Sequence, residues 1–207
     1  MVKVKAPFGG LSASGTLGGA FVFASTKGVQ YARAHAVPSN PNSALQKATR
    51  AMMAFLGVQW ADMTTAQKAT WDPATAGAGS SAFNAFVKSE MKRFTQFTWP
   101  RIASNQAAGT APVLGTLTLT GQGGQISFSH VITTLNGQWG ETVCMSTTSG
   151  FTPARSNVVK VFSQQTSPVV GVLTGLAPGT YYIRPSGFNI GGTASAFLAE
   201  SLGIEVT

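Results

Sequence analysis

NPNSALQKATRAMMAFLGVQWADMTTAQKATW, Asn40 to Trp71, holds two Ser/Thr-x-x-Gln units, Ser43-x-x-Gln46 and Thr64-x-x-Gln67, each leading into an alanine-containing run. In such a unit the hydroxyl accepts from a first-turn backbone N–H and the glutamine side chain reaches back to the cap residue, so each marks a helix start. Pro41 and Pro73 bound the pair because proline interrupts a helix. On a helical wheel Leu45, Ala48, Met52, Phe55, Leu56, Trp60 and Met63 share one face, the apolar stripe of a core-facing helix. The opposite face carries Ala51, Ala54, Gly57, Val58 and Ala61 beside Lys47 and Arg50. A second body can therefore approach this helix closely on its outer side.

Working outward, a third helix is predicted from Ala82 to about Gln96 after Ser80-Ser81, bringing Phe83, Phe86, Val87, Met91, Phe94 and Phe97 together. Glu90 falls in the middle of that apolar face. A buried carboxylate needs a partner. Arg93 is nearest in sequence, with Arg33 or Arg50 possible in space, and an ion pair is expected rather than a general acid or base because no second catalytic group is evident. Upstream, AFVFAS (20–25) and VQYARAHAV (29–37) flank Thr26-Lys27-Gly28 and read as a hairpin with strand alternation at Val29, Tyr31, Arg33 and His35. Gly28 suits the left-handed position of the turn. The glycines at 9, 10, 15, 18 and 19 form no phosphate-binding fingerprint.

Charge divides the chain. Of 207 residues, 14 are Lys or Arg and 6 are Asp or Glu, for a net charge of +8. All of the excess lies in residues 1–105, while residues 106–207 balance to zero. So few ionised side chains leave a surface of Ser, Thr, Gln, Gly and Ala that is poorly defended against association, and we read it as a surface to be covered by neighbours. ASNQAAGTAP (103–112) has linker composition. The expected domains are a basic hairpin-plus-helices module at 1–105, a linker at 106–111 and a second module at 112–207.

The second module reads as all-β. Short strands around LGTLTLTG, GQISFSHV, ETVCMSTT, NVVKVFS, VVGVLTG and TYYIRPSGFN are separated by Gly, Asn, Ser and Pro turns, the rhythm of a seven-stranded sandwich. Pro185 removes a ladder donor, so its strand is expected to bulge or face an edge there. Trp139 reads as a loop residue. The expected fold class is thus α+β, a β-hairpin with about three helices, followed by an immunoglobulin-like sandwich.

Two resemblances sharpen this. Asn40-Pro41-x-Ser43-x-x-Gln46-x-x-x-Arg50, Trp60-x-x-Met63-Thr64-x-x-Gln67-x-x-x-Trp71 and Phe83-Asn84-Ala85-Phe86 resemble a protein family of tailed bacteriophages and prophages whose pattern is NP-x-T-x-x-Q-x-x-x-R, W-x-x-L-T-x-x-Q-R-x-x-W and F-N-x-F. This chain departs mildly from it at Ser43, Met63 and Lys68, and the likeness covers about residues 9–90. It implies a phage structural protein and transfers no catalytic residue. Leu176-Ala-Pro178-Gly179-Thr180-Tyr181-Tyr182-Ile183-Arg184 and Asn189-x-Gly191-Gly192-x-Ala-Ser195 resemble the E–F corner and F–G hairpin of fibronectin type III domains. That likeness implies a corner tyrosine, Tyr181 or Tyr182, with spacing favouring Tyr181.

Catalysis is not expected. His35 and His130 have no carboxylates or cysteines in metal-ligand spacing, Cys144 stands alone, and no nucleophile elbow, paired-carboxylate or His-Glu-x-x-His motif occurs. No cofactor or metal is expected. Neither a leader-like segment nor a membrane-length apolar run is visible, so synthesis in a host cytoplasm without a membrane partner is expected, and the phage resemblance implies residence in a virion. The expected role is a head decoration or cement protein, embedded through residues 1–105 with the sandwich projecting, and its partners are other virion proteins and copies of itself. A tail or baseplate component is the alternative. The assembly contacts expected are Lys3, Lys5, Arg33, Lys47, Arg50, Ala51, Ala54, Val58, Lys88 and Lys92. Nucleic acid is a further possible partner through the basic half, although the aromatics of the third helix lie on its core stripe and offer no stacking platform. Glycan or host-surface recognition by the sandwich would use loops holding Trp139, Phe151 and Phe188.

Overall fold

In the computed structural model the described residues are 2–3, 14–26, 29–37, 42–72, 80–134, 138–163 and 167–207. Lys5, Gly9, Gly10, the Lys27–Gly28 pair, Pro41 and Pro73 lie outside them. The chain forms two compact units, Met1–Pro41 and Asn42–Thr207.

The first unit is a sheet of four strands, β1 (Val2–Lys3), β2 (Gly15–Leu17), β3 (Phe21–Thr26) and β4 (Val29–Ala34), in the order β1-β4-β3-β2. β3 and β4 form the expected hairpin, with Phe21 opposite Ala34 and Thr26 opposite Val29. β4 ends one residue before His35, whose N–H bonds the Ala20 carbonyl at 2.7 Å. The expected alternation does not produce a core. Val29 and Arg33 are exposed, Gln30, Tyr31 and Ala32 are half-buried, and none of residues 14–25 and 29–37 is buried.

The second unit begins with helices set by their caps. Ser43 Oγ accepts from the Gln46 N–H and Gln46 Oε1 from the Ser43 N–H, opening α1 (Ala44–Asp62); Thr64 and Gln67 repeat the arrangement at α2 (Thr65–Ala69). Ser81 caps α3 (Ala82–Thr95). α3 ends with Phe97 at φ 56°, where the Phe97 N–H bonds Phe94 O and the Thr98 N–H bonds Arg93 O. This is a Schellman closure with phenylalanine in the place usually held by glycine. The Phe97 ring stacks on Phe197 at 5.9 Å and packs on Trp99 at 5.3 Å, contacts that offset the left-handed backbone.

The strands that follow are β5 (Val113–Gln122), β6 (Gln125–Thr134), β7 (Gln138–Ser146), β8 (Val158–Ser163), β9 (Val169–Thr174), β10 (Gly179–Asn189) and β11 (Ile204–Val206). They make two antiparallel sheets, β5-β6-β9 and β11-β10-β7-β8. Leu114, Ile126, Phe128, Ile132 and Leu173 of the first face Val143, Tyr181, Ile183 and Val206 of the second across one core. A second core lies on the other face of the four-stranded sheet, where Trp139, Cys144, Val158, Val161 and Phe188 meet Ala48, Met52, Phe55 and Leu56 of α1 and Phe86 and Phe94 of α3. Phe55 touches Trp139 at 5.3 Å and Phe188 at 5.4 Å, and Trp99 stacks on Phe188 at 5.5 Å. The unit is therefore three layers, helices on sheet on sheet.

Several expectations are corrected by this packing. The contacts divide the chain at 41/42 rather than at 105, because the apolar stripe of α1 is buried on the sheet. The supposed linker 106–111 is tied to β10: Asn189 Nδ2 donates to Thr110 O at 2.9 Å, and Gly191 packs against Ala107 so closely that a Cβ there would collide with its carbonyl. Trp139 and Phe188 are buried strand residues, not loop residues. Leu45, on the predicted stripe, is 44% exposed, since the buried part of the stripe starts at Ala48. Pro185 O accepts from the Leu198 N–H at 2.9 Å, so its backbone faces the irregular segment 190–203 and its missing donor takes no bond from β7. The bulge falls later, between Phe188 and Asn189.

Candidate interaction surface

The small-residue face of α1 meets the sheet edge. Lys47, Arg50, Ala51 and Ala54 line one side of a depression of about 390 Å³, and Val159, Lys160 and Val161 of β8 line the other. A second depression, of about 370 Å³, lies between Lys47, Val159 and Lys160 on one side and Met145, Leu173 and Leu176 on the other. Lys47, Val159 and Lys160 are common to both. Arg50 Nη1 donates to Asn42 Oδ1 at 3.2 Å. Ala51 is half-buried, and Lys47, Arg50, Ala54, Val58 and Lys160 are exposed. Four of the expected contact residues, Lys47, Arg50, Ala51 and Ala54, thus come together, with Lys160 added from the other half of the chain. That lysine was not legible as a partner, because β8 reaches α1 only through the tertiary fold.

The remaining expected contacts stand elsewhere. Val58, Lys88 and Lys92 are exposed on α1 and α3 and line neither depression. Arg33 is exposed on β4 opposite Val22, and Lys3 is paired in β1 with Tyr31. Trp60 is half-buried against Phe83 and Phe86, with Lys68 Nζ 5.7 Å from its ring centroid. Trp71 Nε1 donates to Ile102 O at 3.1 Å. Tyr181 donates its hydroxyl hydrogen to Ala177 O at 2.8 Å.

Glu90 is fully buried and meets Arg93 at 3.4 Å and Arg101 at 3.3 Å, while the Arg101 backbone N–H donates to it at 2.8 Å. The carboxylate fastens the segment after α3 back onto that helix. Arg93 is the sequence neighbour expected; Arg101 was missed because only the turn at Phe97 brings it round. Arg50, the alternative in space, instead bonds Asn42.

A second buried pair escaped the sequence reading. His130 Nε2 lies 3.0 Å from Glu141 Oε2, both side chains without solvent contact. The atoms are close but poorly aligned for a hydrogen bond. Burial pushes the Glu141 carboxyl up from its ordinary range, and the His130 contact and charge pull it back only in part. The alternation Ile126, Phe128, His130, Ile132 was the signal that could have placed His130 in the core. Enclosed between two sheets, the pair has no access for a substrate. Burial likewise pushes the Cys144 thiol up to about 12, with Arg184 countering part of the shift.

Among the described residues no group of three or more His, Cys, Asp or Glu is placed to hold a metal, and no helix is long and apolar enough to cross a membrane. No protein family and no curated protein matches the chain. Among solved structures it is similar to a PKD domain of an M14-like peptidase from a Thermoplasmatales archaeon, at 20% identity and a TM-score of 0.31, over 48% of this chain and 98% of that one.

Proposed function

We propose that this chain is a non-enzymatic structural protein of a bacteriophage virion, a head decoration or cement protein, whose residues 112–207 form a fibronectin type III-like sandwich. The strand orders β5-β6-β9 and β11-β10-β7-β8 and the Tyr181 corner bond support the sandwich assignment. The observation that carries the role is the sheet of Met1–Pro41, in which none of residues 14–25 and 29–37 is buried and Leu17, Phe21 and Val29 are exposed. A sheet needs an apolar face covered by another layer to be stable in water, so a surface supplied by neighbouring virion proteins or by further copies is the natural cover. The phage-family pattern at Asn40–Trp71 supports the same reading. Many symmetric copies would make modest contacts sufficient.

Mass spectrometry of purified particles tests the proposal. A copy number comparable to that of the major shell protein supports decoration, a small fixed number supports a tail or baseplate component, and absence from particles refutes both. The nucleic-acid alternative predicts a gel shift that weakens steeply with salt. The host-surface alternative loses Trp139 and Phe188, which are buried, and retains only Phe151.

A further inference from the structure

β8 is the outer strand of its sheet, paired with β7 on one side only among the described residues. Alternate residues of an outer strand turn N–H and C=O groups away from the sheet, which makes it a template for one more strand. The two depressions adjoin this edge and share Lys47, Val159 and Lys160, where β8 bulges: Val143 pairs with Lys160 and Cys144 with Val158, leaving Val159 as the extra residue. One lies toward α1, with Ala51, Ala54 and Val161, and the other toward the end of β9, with Leu173 and Leu176. A strand added to β8 beyond this bulge would pair with Val161–Ser163 and carry its side chains past both depressions, since these meet at Val159 and Lys160. Charge decides the occupant. Lys47 and Lys160 line both depressions, Arg50 lines one, and no carboxylate lines either among the described residues. No aromatic side chain lines them either; the Phe162 ring nearby is half-buried on Phe128 and lies 5.1 Å from Lys160 Nζ, so it offers little of the stacking surface that single-stranded nucleic acid uses.

We propose that the β8 edge binds an extended acidic segment of a partner protein by strand addition, with its carboxylates on Lys47 and Lys160 and its small apolar side chains in the two depressions. The lysine that blunts this edge against indiscriminate pairing then selects a partner of opposite charge. The inference stands on the groove alone and does not require the virion role. Particle composition and groove binding can therefore fail separately.

The test uses the full chain and a fluorescent eight-residue peptide of alternating glutamate and valine. Anisotropy at low salt should show binding that weakens at high salt, and amide hydrogen exchange should slow within Val158–Ser163 when the peptide is present. The variant carrying Lys47→Glu and Lys160→Glu, both exposed positions, should keep its melting temperature and lose at least about tenfold in affinity. If that variant misfolds, a lysine–valine peptide serves instead and must fail to bind the parent chain. The proposal is overturned if the acidic peptide does not bind at low salt, if it binds without slowing exchange in β8, if the folded variant or the lysine–valine peptide binds as well, or if a single-stranded oligonucleotide displaces the peptide and binds more tightly.

Discussion

Glu141 and His130 sit between the two sheets with neither side chain reaching the surface, and the consequence is a pH dependence of known sign. Burial raises the Glu141 carboxyl above its ordinary 4.5, with His130 offsetting only part of that rise. A folded-state value above the unfolded one means that the native chain holds the proton more tightly, so this contribution is complete below the unfolded value and is lost as pH rises through the folded one. In urea unfolding at successive pH values above 4.5, Glu141→Gln should gain on the parent chain as pH increases. A constant difference would show that the carboxyl is not held up. Glu90 differs because it is surrounded by donors: Glu90→Gln leaves Arg93 and Arg101 facing a neutral amide and should cost about 2–3 kcal/mol, below the usual figure for a broken buried pair because both guanidiniums are part-exposed. Denaturation midpoints measure it, and an unchanged midpoint would reduce the pair to a bystander. Legibility at this scale followed sequence distance. The Ser43 and Thr64 caps and the Arg93 partner lie within one turn of their contacts, whereas Arg101 and the His130–Glu141 pair depend on chain reversals that no local pattern encodes.

Among the elements, α1 holds the four-stranded sheet through a glycine. A Cβ at Gly140 of β7 would come within 2.8 Å of the Phe55 ring and would press still closer on Phe188, so the absence of a side chain is what lets the helix seat two aromatic rings on the strand. Gly140→Ala should force ring or helix displacement, cost about 1–3 kcal/mol and alter the near-ultraviolet circular dichroism of Trp139, which touches Phe55. A variant with parent-like stability and spectrum would mean that the layers part without penalty. α1 and α2 were readable because hydroxyl–glutamine caps announce them, α3 because Ser80-Ser81 precedes an apolar stripe, and most strands because turn residues punctuate alternating runs. β7 was read as starting at Glu141, since Asn136-Gly137 and Gly140 around Trp139 carry turn composition and only the buried ring reveals a strand. The end of the sandwich was also obscure. Pro185 cannot donate to the segment beside it, and regular pairing with β10 resumes only at Ile204.

At the scale of the whole molecule, composition and contact tell different stories. Charge and residue usage change near residue 105, yet the core formed by α1, α3, β7, β8 and β10 spans that point. A chain of residues 42–207 should therefore fold and melt in a single cooperative transition, whereas residues 106–207 alone should bind hydrophobic dyes and aggregate, because the sheet face that meets Met52, Phe55 and Leu56 would be bare. Calorimetry and light scattering of the two chains decide the matter, and a well-behaved 106–207 would restore the division suggested by composition. The sealed thiol of Cys144, the chain's single cysteine, also has a practical use. With the native sulfur buried and its thiolate form disfavoured, Leu202→Cys at a site 89% exposed would supply a preferred address for a dye or spin label, so that distances from this molecule to a bound partner could be measured without first stripping a reactive background.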